Sequence, residues 1–155
     1  MAERLCFPLF VDLSEKTVVV IGAGRVAERR IRSLLDFAGG IVVVAPCVQA
    51  GLEALAADGR IRILRRAFEP EDLAQADLVI AATDDGALNR RIHALAKERR
   101  LPVNVSSDQK LCDFYFPGIA RKDRLVVGVT ACGAEHARAK AAAEAIRQYL
   151  EEADL

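Results

Sequence analysis

The sequence is poor in the residue types that build metal centres and disulfide frameworks. Its 155 residues include no tryptophan, one methionine, two histidines and four cysteines, and aromatic residues make up only 5%. No two cysteines stand in a C-x-x-C spacing, whereas a structural zinc site normally takes its ligands from short paired spacings. We therefore expect no resident metal and four reduced thiols that behave mostly as small apolar side chains.

The chain also lacks an excess of charge and a long apolar run. Its 22 Lys and Arg residues balance 22 Asp and Glu residues, so the basic surface of a nucleic-acid-binding protein is missing. Apolar runs such as Val18–Ile21 are far too short to span a bilayer. The first five residues do not form the charged-then-apolar pattern of a signal peptide. We expect a soluble, cytoplasmic protein that binds neither nucleic acid nor membrane.

What the sequence does contain is a regular alternation of strand and helix patterns. β-Branched and apolar runs predict strands at 17–21, 41–44, 61–64, 78–83 and 102–105. Helical spacing of apolar residues predicts helices at 26–37, 48–57 and 87–100 and a single helical turn at 70–73. Two strands at 114–119 and 125–129 and a long helix at 134–150 follow without alternation. The predicted fold class is α/β, a Rossmann-like doubly wound parallel sheet followed by a small β-hairpin and helix.

A G-x-G-x-x-A motif separates the first predicted strand from the first predicted helix. Gly22 permits the tight turn, Gly24 lets a pyrophosphate approach the backbone, and Ala27 lets the helix pack closely on the strand. The amides around Arg25 and Val26 then face the anion. This context predicts a dinucleotide site, and the alternative is a tight turn that binds nothing.

The residues that follow the second and fourth predicted strands indicate the cofactor contacts less clearly than the glycine motif does. An acidic residue usually follows the second strand to bind the adenosine ribose, but here Pro46 and Cys47 follow, and no arginine replaces it. These residues leave NAD and NADP both open. After the fourth strand, we predict that Thr83 and Asp84 line the nicotinamide half of the site. The alternative is that Asp84 or Asp85 caps the next helix.

Several short motifs in matching order carry a family resemblance. They are Phe7–Leu13, the Val19–Arg29 turn, Ala45-Pro46, Phe68–Pro70, Ala81–Asp85 with Leu88-Asn89, Val103–Val105 and Leu111–Phe114. Together they closely resemble the precorrin-2 dehydrogenases, the NAD-dependent component of siroheme synthases. The resemblance runs from about Phe7 to Val129 and weakens after Thr130.

The resemblance implies a cofactor domain at residues 1–112 and a dimerisation and substrate-binding tail at 113–155. It implies oxidation of precorrin-2 to sirohydrochlorin with NAD as hydride acceptor, in a homodimer, with transient ferrous iron where a member also acts as a ferrochelatase. The family too lacks the acidic ribose partner, which favours NAD. The implied cofactor contacts are Gly22, Gly24, Arg25, Val26, Pro46 and Cys47. Members usually continue into a further small helical domain, for which we expect no room before Leu155.

Two departures from the family pattern concern the catalytic and substrate-binding residues. Members commonly carry an aspartate three residues after the position of Asn104, regarded as the general base, whereas this chain has Ser107 followed by Asp108. Because a serine hydroxyl is a poor base at neutral pH, we predict that Asp108 takes over. Asp113 is a further candidate, and a turn or structural role is the alternative for both aspartates.

The second departure lies before the last helix, where Glu135-His136 replaces the Ser-Pro pair of the family. We predict that the substrate carboxylates contact the tail through Arg121, Lys122 and Thr130, with Asn104 as a further substrate contact. Arg124 is another candidate cation, and an ordinary polar turn is the alternative. The leading hypothesis is a precorrin-2 dehydrogenase, and the rival is a non-catalytic NAD- or tetrapyrrole-binding module that has lost the base.

Overall fold

The computed structural model describes residues 5–133 and 135–153. The chain divides into two compact units. One unit comprises Val11–Phe114, and the other combines the described residues before Val11 with those from Tyr115 onwards. Across the described ranges, no helix is both long enough and apolar enough to cross a bilayer.

The larger unit is a five-stranded, wholly parallel sheet with strand order β3-β2-β1-β4-β5. Its strands are β1 (Thr17–Ile21), β2 (Gly40–Val44), β3 (Arg62–Leu64), β4 (Leu78–Ala81) and β5 (Val103–Val105). Its helices are α1 (Arg25–Leu34), α2 (Ala50–Ala57) and α3 (Gly86–Glu98), with 3-10 turns at Pro70–Leu73 and Gln109–Leu111. The predicted fold class is confirmed, because the order reverses between β1 and β4 as in a doubly wound sheet.

The core lies on both faces of the central strands. Val18 and Val20 on one face of the sheet and Val79 on the opposite face are each 0% exposed, which explains why these strands are continuous apolar runs rather than alternating ones. Ile31 of α1 and Ile92 of α3 are also fully buried. The same pattern that predicts strands and helices in the sequence therefore also produces the core that holds the sheet together.

Several element boundaries differ from the predicted ones. α1 ends at Leu34 rather than at residue 37, because the carbonyl of Leu34 accepts from the amides of both Phe37 and Ala38 and closes the helix. α2 begins at Ala50 rather than at residue 48, because Gln49 is extended, with ψ 145°. β4 ends at Ala81 rather than at residue 83, where the chain turns towards α3.

The smaller unit contains an antiparallel pair and one helix. These are β6 (Gly118–Lys122), β7 (Leu125–Val129) and α4 (His136–Glu152). The predicted strand at 114–119 was placed too early, because Pro117 has no amide hydrogen for a ladder and the pairing begins at Gly118. The turn is the residue pair between Lys122 and Leu125, where Asp123 has φ 52°. Ala134, the predicted start of the last helix, lies outside the described residues.

Candidate dinucleotide-binding site

Gly22 occupies a position that requires glycine for two reasons. Its φ of 103° lies in the left-handed region that side chains disfavour. A Cβ atom there would overlap the carbonyl group of Ala82, with 2.6 Å to the carbonyl carbon and 2.9 Å to the nitrogen of Thr83. The chain leaving β1 therefore passes directly against the end of β4, and the amide of Gly22 donates to Val44 O over 2.9 Å.

Gly24 is the N-cap of α1, and its role is different. Its φ of −83° is ordinary, and a Cβ atom there would meet nothing within 4 Å. No side chain caps the helix, so the first-turn amides, including those of Arg25 and Val26, lie beside open space. Ala27 is fully buried against the sheet. An open glycine cradle at the positive end of a helix is suited to a pyrophosphate, so the residues present fit a dinucleotide.

The loop after β2 closes one side of this cradle. The amide of Gln49 donates to the carbonyl of Ala23 over 3.2 Å, which joins this loop to the glycine turn. Pro46 and Cys47 are both exposed at the same carboxyl edge of the sheet. Neither carries a charge, and the carboxyl carbon of Glu28 lies 2.7 Å from where a Cβ of Gly51 would be.

The turn after β4 is organised by a buried amide. Asn89 of α3 is 0% exposed. Its Oδ1 accepts from the hydroxyl of Thr83 over 2.7 Å, and its Nδ2 donates to the carbonyl of Thr83 over 3.0 Å. Asp85 caps α3, since its Oδ1 accepts from the amides of Ala87 and Leu88. The capping alternative is therefore confirmed for Asp85, while Asp84 is exposed.

The loop after β5 is held to the same amide. Asn89 Nδ2 also donates to the hydroxyl of Ser107 over 3.1 Å. Beside it, the hydroxyl oxygen of Ser106 is buried and has no hydrogen-bond partner within the described residues, although its amide donates to Ala81 O over 2.8 Å. A buried hydroxyl without a partner at the carboxyl edge of the sheet is a group that a bound ligand can satisfy.

The two candidate aspartates differ in their surroundings. Asp108 is exposed, and its Oδ1 accepts from the amide of Lys110 over 2.9 Å, so it caps the following 3-10 turn. Asp113 accepts from the amide of Val103 over 3.0 Å and from Lys97 Nζ over 2.7 Å. Because Val103 begins β5, Asp113 lies at the amino end of that strand. Asp113 is therefore structural, and Asp108 is the carboxylate nearer to the carboxyl edge.

Asn104 is a buried residue whose side chain links separate parts of the larger unit by hydrogen bonds. It is 2% exposed, its Nδ2 donates to the carbonyl of Phe114 over 2.7 Å, and its Oδ1 accepts from the guanidinium of Arg30. Burial lowers the pKa of Arg30. Burial also raises the pKa of the nearby thiol of Cys112. The hydrogen bond from Arg30 connects α1, the helix that follows the glycine turn, to β5. It favours a structural role for Asn104 over the predicted contact with substrate.

The tail residues lie in the smaller unit. Lys122 Nζ donates to the carbonyl of Ala153, just after the end of α4. The hydroxyl of Thr130 accepts from the amide of Cys132 over 3.2 Å. Arg121 and Arg124 are exposed, and so is His136 at the start of α4. Of the predicted substrate cations, Lys122 is thus engaged within the unit, and Arg124 is exposed to solvent.

The sequence assigned no role in the site to three residues that have defined positions there: Asn89, Ser106 and Arg30. The signal for Asn89 in the sequence was its place in the Leu88-Asn89 motif of the family resemblance. Nothing in the local pattern indicates that Arg30 reaches β5, because the contact joins positions 74 residues apart. Within the described ranges, no three His, Cys, Asp or Glu side chains come close enough to hold a metal ion.

The sheet order, the glycine cradle and the helix terminus define a nucleotide-binding protein of the Rossmann-like class. The chain belongs to the family described as putative NAD(P)-binding, whose model matches residues 9–118. A solved structure of SirC, a precorrin-2 dehydrogenase, superposes with a TM-score of 0.77 and 28% identity, covering 94% of this chain and 74% of that one.

Siroheme synthases and a probable siroheme biosynthesis protein are among its relatives. Siroheme synthase 1 of Yersinia enterocolitica is 45% identical over 145 residues, which are 93% of this chain and 30% of the relative. Siroheme synthase of Neisseria meningitidis is 39% identical over 145 residues, which are 94% of this chain and 29% of the relative. A probable multifunctional siroheme biosynthesis protein of Ruminiclostridium josui is 37% identical over 149 residues. These residues make up 96% of this chain and 29% of the relative. The chain spans about 30% of the length of these relatives.

Proposed function

We propose that this chain is an NAD-dependent dehydrogenase that oxidises precorrin-2 to sirohydrochlorin. The observation that carries the proposal is the glycine cradle at Gly24, set in a fold similar to that of SirC over 94% of this chain. The siroheme synthases and the probable siroheme biosynthesis protein, which share 37–45% identity with this chain, support a substrate from siroheme biosynthesis. Localisation in the cytoplasm remains a prediction.

The cofactor half of the proposal concerns residues of the larger unit. Gly22 and Gly24 leave room for the pyrophosphate, and the amides at Arg25 and Val26 supply hydrogen bonds to it. Pro46 and Cys47 would border the adenosine. Neither is a cation for a 2′-phosphate, which favours NAD over NADP. At the nicotinamide end, Thr83, Asp84 and the hydroxyl of Ser106 are proposed polar contacts.

NAD supplies the chemistry of this reaction by accepting a hydride from the substrate. The chain must hold the reacting carbon against the cofactor and accept the proton released with the hydride. Asp108 is the proposed acceptor, because it is an exposed carboxylate at the carboxyl edge. Ser107, whose hydroxyl accepts from Asn89, is the proposed neighbour that orients it.

The smaller unit is proposed to bind the substrate and to form the dimer interface. Arg121, Lys122 and Thr130 are proposed contacts for the substrate carboxylates, and buried Asn104 is a proposed support for β5 rather than a direct contact. Leu125 is 47% exposed on the hairpin, which supports burial against a second copy in a homodimer. Ferrous iron would be a second substrate, taken up only if the chain also acts as a ferrochelatase.

The decisive experiment mixes the purified chain with precorrin-2 and NAD in the absence of oxygen and follows NADH and sirohydrochlorin absorbance together. The proposal expects both products in equal amounts, and light scattering is expected to give the mass of a dimer. Omitting NAD is the control that must abolish both signals. Absence of both products with intact NAD binding would overturn the dehydrogenase assignment.

A second candidate function is a binding module without turnover. The observation that favours it is the capping role of Asp108, which occupies one carboxylate oxygen with the amide of Lys110. Calorimetry separates the two functions, because a module binds NAD or sirohydrochlorin and releases no NADH. Ser107→Asp, which restores the family carboxylate, is then expected to produce turnover in a chain that otherwise has none.

A further inference from the structure

Two cysteines far apart in the chain meet in the smaller unit. Cys6 and Cys132 are 126 positions apart, and the amide of Cys6 donates to the Sγ of Cys132 over 3.1 Å. Given an N–Cα bond of about 1.5 Å, that sulfur lies within about 4.6 Å of the Cα of Cys6. The two side chains are also hydrogen-bonded to each other, and this bond raises the pKa of Cys6.

The surroundings of the pair leave it accessible to small molecules. Both side chains are half-buried, so a small reagent can reach the sulfurs. Cys132 stands in the turn between β7 and α4 with φ 50°, and its amide is held by the hydroxyl of Thr130. This turn presents the sulfur to the amino-terminal segment.

The other two cysteines belong to the larger unit and have different surroundings. Cys47 is exposed. Cys112 is packed against β5, where its Sγ donates to the carbonyl of Val105 over 3.2 Å and accepts from the amide of Val105 over 3.3 Å. The contact between two cysteines that the structure shows is therefore the one between Cys6 and Cys132.

We propose that Cys6 and Cys132 form a reversible disulfide when the protein meets a low-molecular-weight disulfide such as oxidised glutathione. The thiolate of Cys132 attacks one glutathione sulfur, forming a mixed disulfide and releasing one glutathione thiolate. The thiolate of Cys6 then attacks the sulfur of Cys132, and the second glutathione thiolate leaves. Two protein thiols are oxidised, one glutathione disulfide is reduced, and the two protons pass to the released thiolates.

The consequence is a covalent link between the amino-terminal segment and the turn before α4. Phe7, Leu9 and Phe10 are 88%, 76% and 70% exposed, so the segment that carries Cys6 has little burial of its own to hold it. In a reducing compartment such a link is transient and responds to the redox state. Residues 5–10 are therefore tethered under oxidising conditions and held only by weaker contacts after reduction.

Peptide mapping of the full-length chain tests the proposal. The protein is treated with oxidised glutathione, alkylated and digested with chymotrypsin without reduction, because Phe10 and the other exposed side chains of the segment offer cleavage sites. We expect one cross-linked species that joins the peptide containing Cys6 to the peptide containing Cys132, and its loss after dithiothreitol. This readout is independent of dehydrogenase activity.

Single serine variants assign the sulfurs. Cys6→Ser is expected to trap Cys132 as a mixed disulfide with glutathione, and Cys132→Ser to abolish the cross-link, whereas Cys47→Ser leaves it intact. A stable mixed disulfide on both cysteines of the wild-type chain, with no cross-link, would overturn the proposal. A cross-link that joins Cys132 to Cys47 or Cys112, or one found only between two copies, would overturn it as well.

Discussion

Asn89 Nδ2 donates to Ser107 Oγ over 3.1 Å, while Asn89 Oδ1 accepts from Thr83 Oγ1 over 2.7 Å. One fully buried amide on α3 therefore connects the ends of β4 and β5. These two strands lie side by side in the sheet, and the loops that follow them carry Thr83, Asp84, Ser107 and Asp108. The geometry of the proposed nicotinamide end thus depends on a residue that is itself fully buried.

Replacing Asn89 by leucine is expected to destabilise the chain by about 1–3 kcal/mol, because the polar groups of Thr83 and Ser107 lose a buried partner. NAD affinity is expected to fall in parallel. Urea unfolding and calorimetry measure the two effects. Ser107→Ala removes only one of these hydrogen bonds and serves as the milder comparison; an equal loss in both variants would contradict the connecting role of Asn89.

Gly24→Asp separates ligand binding from folding. The new Cβ meets nothing within 4 Å and the φ of −83° suits any residue, and aspartate is a favourable N-cap. Stability is therefore expected to stay unchanged or rise slightly, while NAD affinity falls at least about tenfold, because the carboxylate repels the pyrophosphate.

Gly59→Asp is the matched control for this variant. It adds the same charge at another position where a Cβ meets nothing within 4 Å, although φ is 71° there, a value that aspartate tolerates better than most residues. NAD affinity is expected to be unchanged. Calorimetry that finds equal weakening in both variants would place the pyrophosphate away from Gly24.

Asp108→Asn tests the proton acceptor. Asparagine keeps the cap on the amide of Lys110, so stability is expected to change by less than about 0.5 kcal/mol. The rate of turnover is expected to fall about 100-fold, because a neutral amide cannot accept the proton. If turnover is unchanged, Asp108 is only a cap. Ser107→Asp in the same chain is expected to restore part of the rate.

Arg30→Met tests the hydrogen bond that connects α1 to β5. The variant leaves the Oδ1 of buried Asn104 without its guanidinium partner, so a loss of about 1–3 kcal/mol in the free energy of unfolding is expected. Arg29→Met, on the exposed side of the same helix, is the control, with an expected change within about 0.5 kcal/mol. If both variants lose the same free energy of unfolding in urea, the hydrogen bond between Arg30 and Asn104 does not stabilise the fold as proposed.

The pH dependence of stability should report on Asp72. The hydrogen bond from Arg66 holds the pKa of this carboxyl below its usual value, and the side chain is 4% exposed. A lowered pKa in the folded state stabilises the fold above the ordinary aspartate pKa of about 4, and this contribution is lost as the pH falls further. Arg66→Met is expected to lower the urea midpoint at neutral pH.

The comparison at low pH completes this test. Once Asp72 is protonated in both proteins, the Arg66→Met variant and the wild-type chain should have the same urea midpoint. Arg62→Met, an exposed change on β3, controls for the loss of one positive charge. A difference in midpoint that persists unchanged into the acid range would show that Arg66 stabilises the fold by some route other than Asp72.

Much of the larger unit follows from local pattern. The run Thr17–Ile21 forms a strand with the predicted ends, because a continuous β-branched stretch buries well only inside a parallel sheet. The glycine turn was predictable for a similar reason. The left-handed φ of Gly22 is accessible to few other residues, so its place between a strand and a helix already indicates a tight turn.

Residue spacing could not place the hairpin or choose between roles for polar residues. The start of β6 at Gly118 depends on which amides find partners across the ladder, and Asp108 and Asp113 look alike until their hydrogen bonds are known. Near-neighbour periodicity along the chain determined the order of strands and helices and the position of the glycine turn. Only the tertiary structure decided that Arg30 reaches Asn104, that Asn89 holds Ser107, and that Cys6 meets Cys132, because each contact joins side chains whose separation in sequence exceeds any helical or strand repeat.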